Sequence, residues 1–197
     1  MRPPRDNPFR VDRVTTLPYV GLDAAALADR FLRLGRAAIV GPHGVGKSTL
    51  MRSIGEMLCD RGLEVVSIVL PGSAARDERV AMLRAIEQSA ADSAVLLDGY
   101  EQLSWIEARH VRRCPRLLVT AHRRTLLRPL VTLRPSLDMW QAVLRELGVA
   151  MSPREIAAFR RHHGDVREAL MTLFDAWAAE GEGSSTLPPP NLAQMTR

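Results

Sequence analysis

Apolar residues along this chain recur at helical spacing, then at strand spacing, and the two patterns alternate through its first two thirds. Residues 22–34 (LDAAALADRFLRL) set alanines and leucines on one side of a helical period, and Gly35 and Arg36 break it. The short apolar run AAIV follows at 37–40. From Lys47 to Asp60, Leu50, Met51, Ile54, Met57 and Leu58 recur as a helix requires, with Arg61 and Gly62 as the stop. Residues 64–70 (EVVSIVL) are rich in β-branched side chains, and Pro71 to Ser73 turn the chain. The stretch 75–90 reads as a helix with Val80, Leu83 and Ile86 inward. AVLLD at 94–98, a helix over 102–112, RLLVT at 116–120 and a weaker run PLVTL at 129–133 complete the alternation. The strands are continuously apolar, as they must be when helices cover both faces of a parallel sheet. The pattern predicts an α/β three-layer sandwich with a mostly parallel sheet and right-handed crossovers. It does not reveal the strand order.

Past Pro135 the period is helical only. Residues 136–147 open with a Ser cap, Ser152-Pro153-x-Glu155 is a start signal for a second helix to about 161, and Asp165 can cap a third over 166–179. Val166, Ala169, Leu170, Leu173, Phe174 and Trp177 line one face of that third helix. Three such helices must dock to hide their apolar stripes. The expected organisation is therefore a lead at 1–21, an α/β domain at 22–134, a three-helix unit at 135–179 and a disordered tail at 180–197.

Composition narrows the class. Of 197 residues, 46% are apolar and 25% charged, as in a soluble globular protein. No apolar run reaches the roughly 18 residues of a membrane span, and no secretion signal is recognisable at the N-terminus. Cys59 and Cys114 are too few for a disulfide scaffold and lack metal-ligand spacing, so a reduced, cytoplasmic setting is expected. The 27 basic residues exceed the 22 acids by a net +5, and Lys47 is the only lysine.

That lysine falls inside Gly41-Pro42-His43-Gly44-Val45-Gly46-Lys47-Ser48, a full G-x-x-x-x-G-K-[ST] match followed by Thr49. An apolar strand precedes it and a helix follows, the context the motif needs. Glycines let successive backbone N–H groups turn toward one centre, where the helix N-terminus adds its partial positive charge. Lys47 is then a point charge for the β- and γ-phosphates, and the Ser48 hydroxyl a Mg²⁺ ligand. Asp98, at the end of AVLLD, can hold the magnesium shell from the same sheet edge. Glu101 can orient or deprotonate a water in line with the γ-phosphate. Thr120 ends the next apolar strand, where a hydroxyl can sense that phosphate, and His122 stands close enough to assist.

Between 105 and 134 there are eight arginines (109, 112, 113, 116, 123, 124, 128 and 134) against one acid, Glu107. A solvated face, a nucleic acid surface and a dock for an acidic protein all remain open readings of this basic stretch. Arg123, Arg124 and Arg128 are candidates to reach a neighbouring subunit's γ-phosphate. Arg167 sits in the first turn of the last helix, a costly place for a cation that a bound polyphosphate would offset. His162 and His163 read as turn residues.

Taken together, these motifs resemble the P-loop ATPases of the AAA+ group and their signal-transduction relatives. GPHGVGKST resembles the Walker A loop. AVLLDGYEQL looks like a Walker B strand with its acid displaced to Glu101, similar to the hydrophobic-Asp-Gly-x-acid form of NACHT-type proteins. RLLVTAH resembles the first sensor strand, and HGDVREALMTLFD the start of a lid helix with a second sensor arginine. The resemblance implies phosphate, magnesium, base and sensor roles for Lys47, Ser48, Asp98, Glu101, Thr120 and Arg167. It also implies adenine contacts from NPFR at 7–10, with Phe9, Arg10 and Val11 near the base. ATP and Mg²⁺ are the implied cofactors, and an ATP-driven conformational switch read by a protein partner is the implied activity. Gly99 stands where such ATPases carry a glutamate, and no arginine finger has a firm position, so a ring is not expected. A small-molecule kinase and a nucleotide-dependent nucleic acid binder through 109–128 are the alternatives. A GTPase is disfavoured, because no N-K-x-D sequence follows the fourth strand.

Overall fold

Alternate residues of the same strands build the two faces of one sheet. The computed structural model describes residues 6–73, 75–89 and 92–182. Its strands are β1 (Arg36–Val40), β2 (Val65–Val69), β3 (Ala94–Asp98), β4 (Leu117–Ala121) and β5 (Arg128–Thr132). They lie in the order β2-β3-β4-β1-β5, and all four pairings are parallel. Ala37, Ile39, Leu96 and Leu118 point to one side, where α2 (Ala24–Leu34) and α3 (Lys47–Asp60) cover them with Phe31, Leu50, Ile54 and Leu58. Ala38, Val40, Val95, Leu97, Leu117 and Val119 point to the other. There α4 (Arg76–Gln88) and α5 (Trp105–Val111) supply Met82, Ile86 and Val111. This is the three-layer α/β sandwich. The inner strands β1, β3 and β4 are almost wholly buried, whereas the edge strands β2 and β5 are half exposed. Pro129, which has no N–H for a ladder, sits on edge strand β5 beside a register shift at Ala38/Ile39.

Three elements differ from the expectation. In α4 the inward residues are Met82 and Ile86, with Leu83 half-buried, while Val80 is 39% exposed. The Arg79 guanidinium lies on the inward stripe and pairs with Glu107 of α5, Nε to Oε1 at 2.9 Å. Positions 79, 82 and 86 share one helical stripe, so they turn inward together. The helix expected over 102–112 is shorter, because a 3₁₀ turn at Tyr100–Gln102 comes first and Ser104 then caps α5 in a reciprocal box with Glu107. The lead contains a helix that its β-branched sequence did not signal, α1 (Val11–Thr16).

The helical unit consists of α6 (Leu137–Glu146), α7 (Pro153–Arg161) and α8 (Val166–Glu182). Trp140, Leu144, Phe159, Ala169, Leu170 and Leu173 form its core, and Phe9 of the lead belongs to that same core. Val14 and Leu17 pack beside them, which is why α1 forms despite weak local propensity. Asn7 donates from Nδ2 to the Phe174 carbonyl (3.2 Å), and Arg52 of α3 donates to the carbonyls of Thr15 (2.7 Å) and Leu17 (2.8 Å). The lead thus ties the helical unit to the sheet domain. Residues 180–182, expected in the tail, continue α8, and the rest of the expected tail, 183–197, lies outside the described residues. No helix among the described residues is long and apolar enough to cross a membrane.

Candidate functional site

Strand β1 ends between β4 and β5 in the sheet, and the chain must turn there within a few residues into α3. Gly41 permits the exit: its N–H donates to the Ala121 carbonyl, and a Cβ there would meet the Leu133 carbonyl at 2.9 Å. Gly44 and Gly46 have φ of +68° and +83°, which other residues adopt only under strain. Asp165, at the head of α8, fills the space where a Gly44 side chain would stand, and the Val166 N–H donates to the Gly44 carbonyl at 3.3 Å. Asp165 also caps α8 by accepting from the Glu168 N–H. Two helix N-termini, those of α3 and α8, therefore converge on the 41–48 loop. Val45 is buried in the sheet-domain core and Thr49 half-buried, while Pro42 and His43 are exposed.

Lys47 is 7% exposed. Its ammonium donates to the Pro42 carbonyl at 2.6 Å and meets Nδ1 of His122 at 3.2 Å. Burial pushes its pKa down, opposed by the charges of Glu101, Asp98 and Asp165. Ser48 opens α3 beside it.

The acidic strand end is organised by its neighbour. The Thr120 hydroxyl donates to Oδ1 of Asp98 and accepts from the Gly99 N–H at 3.1 Å. Gly99 has a φ of +93°, and a Cβ there would run into the Leu70 carbonyl. A glutamate cannot occupy that position. The next acid in line is Glu101, in the 3₁₀ turn, and its Oε1 lies 2.5 Å from Nε2 of His122. The His122 ring also stacks on His43 of the loop, with centroids 3.6 Å apart. Burial, then the charge of Lys47, push the His122 pKa below the ordinary histidine value, with Glu101 opposing.

The structure thus gathers Lys47, Ser48, Asp98, Thr120, Glu101 and His122 at the C-terminal edge of β1, β4 and β3. Arg167 is exposed on the first turn of α8 and makes no ion pair among the described residues. Phe9 lies in the helical core at 6% exposure, Arg10 pairs with Asp12, and Val11 is 72% exposed. The aromatic that touches the loop is Tyr19, whose ring would lie 3.0 Å from a Cβ on Gly46. Nothing in the periodicity marks it, because its nearness to the loop is purely tertiary.

Beside Glu101 and His122 a cavity of about 420 Å³ opens between the 3₁₀ turn, α5 and the segment after β4. Its walls include Leu103, Ala108, Arg112, Arg123 and Arg124. Arg109, Arg113 and these three arginines have no carboxylate partner among the described residues, since Glu107 is turned toward Arg79.

No protein-family model matches the chain, and no curated protein matches it by sequence. Among solved structures, it resembles AMPPCP-bound DnaA from Aquifex aeolicus with TM-score 0.52 and 16% identity, over 81% of this chain and 64% of that one. A structure described as DNA replication initiation factor matches with TM-score 0.52 and 18% identity, over 81% and 61% of the two chains. Domain III of the Thermotoga maritima replication initiation protein DnaA matches with TM-score 0.52 and 14% identity, over 91% and 93%. The chain spans less than two thirds of the first two proteins and most of the third. At these identities the likeness is one of fold alone, the three-layer α/β sandwich of the P-loop type that these structures share with this chain.

Proposed function

We propose that this chain is a Mg²⁺-dependent ATPase that works as a conformational switch, with the helical unit as a lid over the triphosphate. One observation carries the reading. The only lysine, the N-terminus of α3 and two acids at and just beyond the end of β3 converge on a loop with no room for side chains at Gly41 and Gly44. The residues suit the ligands. Lys47 is a buried cation whose hydrogen-bond acceptors are both uncharged, so a phosphate oxygen is a better partner. Ser48 and Asp98 offer the hard oxygen donors that Mg²⁺ takes alongside waters and phosphates. No cluster among the described residues would hold a metal by protein side chains alone, which fits a site completed by the nucleotide.

Bound Mg²⁺ supplies charge neutralisation at the β- and γ-phosphate oxygens. Lys47 and the loop amides add to it, held in place before any reaction begins. Glu101 accepts the proton of the attacking water. Thr120 holds Asp98 in its rotamer and senses the γ-phosphate through that water. Of the expected base contacts Phe9 is enclosed in the helical core, which leaves Arg10 and Val11, joined in this reading by Tyr19 beside Gly46. The Asp165–Gly44 junction supports a loop-to-lid linkage, with Arg167 free to swing onto the phosphates. The acid at Glu101 after Asp98-Gly99 favours a NACHT-like Walker B arrangement. The output is read by a protein partner or by nucleic acid along 109–128.

Phosphate release from ATP and GTP, with and without DNA, tests this in the wild type and Glu101→Gln. The expected result is ATP preference, retained ATP binding and a loss of about 10²-fold or more in the variant. Equal rates in the two proteins remove Glu101 from the chemistry, and a GTP preference removes the adenine assignment. The cavity beside Glu101, with three arginines on its walls, favours a second reading as a kinase for a small anionic acceptor. Phosphate found on an added small molecule, rather than in solution, would select it.

A further inference from the structure

The geometry points to His122 as a positioning residue that holds Glu101 by one carboxyl oxygen and whose own tautomer is set by Lys47 of the phosphate loop. This inference rests on the nucleotide reading above and specifies how occupancy of the loop reaches the base.

An ammonium has three donors and no acceptor, so the Lys47–His122 contact at 3.2 Å requires a lone pair on Nδ1. The ring hydrogen must then sit on Nε2. From there it is donated to Oε1 of Glu101, 2.5 Å away, because a carboxyl oxygen accepts what Nε2 offers. The ring is neutral, with Nε2–H toward the base and Nδ1 toward the loop. The groups facing it agree: burial and the nearby charges of Lys47 and His43 disfavour a second proton, against Glu101 and the more distant Asp98. His43 stacks on the ring, so two residues of the 41–48 loop fix this imidazole from one side. On the other side it fixes Glu101, leaving Oε2 for a water.

A triphosphate changes one half of this arrangement. Lys47 now donates to two neutral acceptors, whereas hydrogen bonds to ionised oxygens are roughly twice as strong. Lys47 therefore transfers from His122 to the phosphates, and Nδ1 loses the donor that set the tautomer. Nucleotide in the loop thereby alters the restraint on Glu101, and the effect passes through a single ring. No pair among Lys47, His122 and Glu101 is close in sequence, so this linkage exists only in the folded protein.

Ring ¹⁵N NMR of the full chain tests the claim without any turnover, with His122→Ala used to assign the His122 signals among the five histidines. The nucleotide-free protein is expected to show an unprotonated Nδ1 and a protonated Nε2 at His122. Lys47→Ala, with no nucleotide present, is expected to move these signals toward a tautomer mixture. Mg²⁺ with a non-hydrolysable ATP analogue should move them in the wild type, and Mg²⁺ with AMP should not. A protonated Nδ1 in the wild type, or signals unmoved by Lys47→Ala, overturns the inference. In turnover, His122→Ala should lower kcat about tenfold or more while KM stays within about threefold, since misplacing a base costs rate before affinity. His122→Gln, whose amide can still donate to Glu101, should recover most of that loss. Full kcat in His122→Ala also overturns it. Absence of nucleotide binding in the wild type sinks the proposed function instead, and leaves the tautomer result to be judged on its own.

Discussion

At the scale of single residues, position 99 explains an irregularity of the motif. The strand AVLLD ends in Asp98, and the backbone then enters the left-handed region against the Leu70 carbonyl, whose own residue is bonded to Asp98 (Leu70 N–H to the Asp98 carbonyl, 2.9 Å). Only glycine fits, so the acid moves two positions on, into the 3₁₀ turn. Gly99→Ala should cost about 2–4 kcal/mol by combining positive-φ strain with a backbone clash, read as a fall in the urea midpoint at unchanged m-value. Wild-type stability in that variant would mean the turn relaxes and an acid at 99 is sterically allowed. The lysine, the glycines and Asp98 were legible at this scale because their chemistry is tied to fixed spacing. The link from Lys47 through His122 to Glu101 was not, because it joins three segments that only folding brings together.

Among the elements, the α4–α5 contact sets an ion pair on the inward stripe of a helix. Periodicity alone could not separate the Val80 face from the Met82 face of α4, since both stripes carry apolar residues. The folded protein buries the Met82 and Ile86 stripe, with Arg79 on it reaching Glu107 of another helix. The Arg79 guanidinium and the Ser104 cap hold the Glu107 carboxyl at a pKa of about 2, against an ordinary 4.5. A lowered carboxyl pKa stabilises the fold above the unfolded value, and that contribution is lost as pH falls from 4.5 through 2. Both side chains are partly solvated, so the loss is about 1–2 kcal/mol. Urea unfolding followed from pH 6 downward should show this decline in the wild type and a flatter one in Glu107→Gln. Parallel profiles would deny the pair its structural role. The strands and most helices were readable without such help, because continuous apolar runs and capping residues act within a few positions of each other.

Over the whole molecule, the lead is the piece whose place reading the chain in order did not reveal. Phe9 enters the core of the helical unit while Arg52 of α3 holds the carbonyls of Thr15 and Leu17, so a short N-terminal segment joins the two lobes. Phe9→Ala should cost about 3–5 kcal/mol, with amide exchange faster in α6 to α8 and little changed in β1, β3 and β4. Uniform acceleration across both lobes would show that they unfold as one unit. The alternation of strand and helix, the phosphate loop and the acid at a strand end were already determined by the sequence, through period, spacing and turn chemistry acting locally. The strand order, the seat of Phe9, the approach of Asp165 to Gly44 and the His122 bridge were decided only by tertiary structure. These depend on which distant segments meet, and that follows from the burial of all the apolar faces at once.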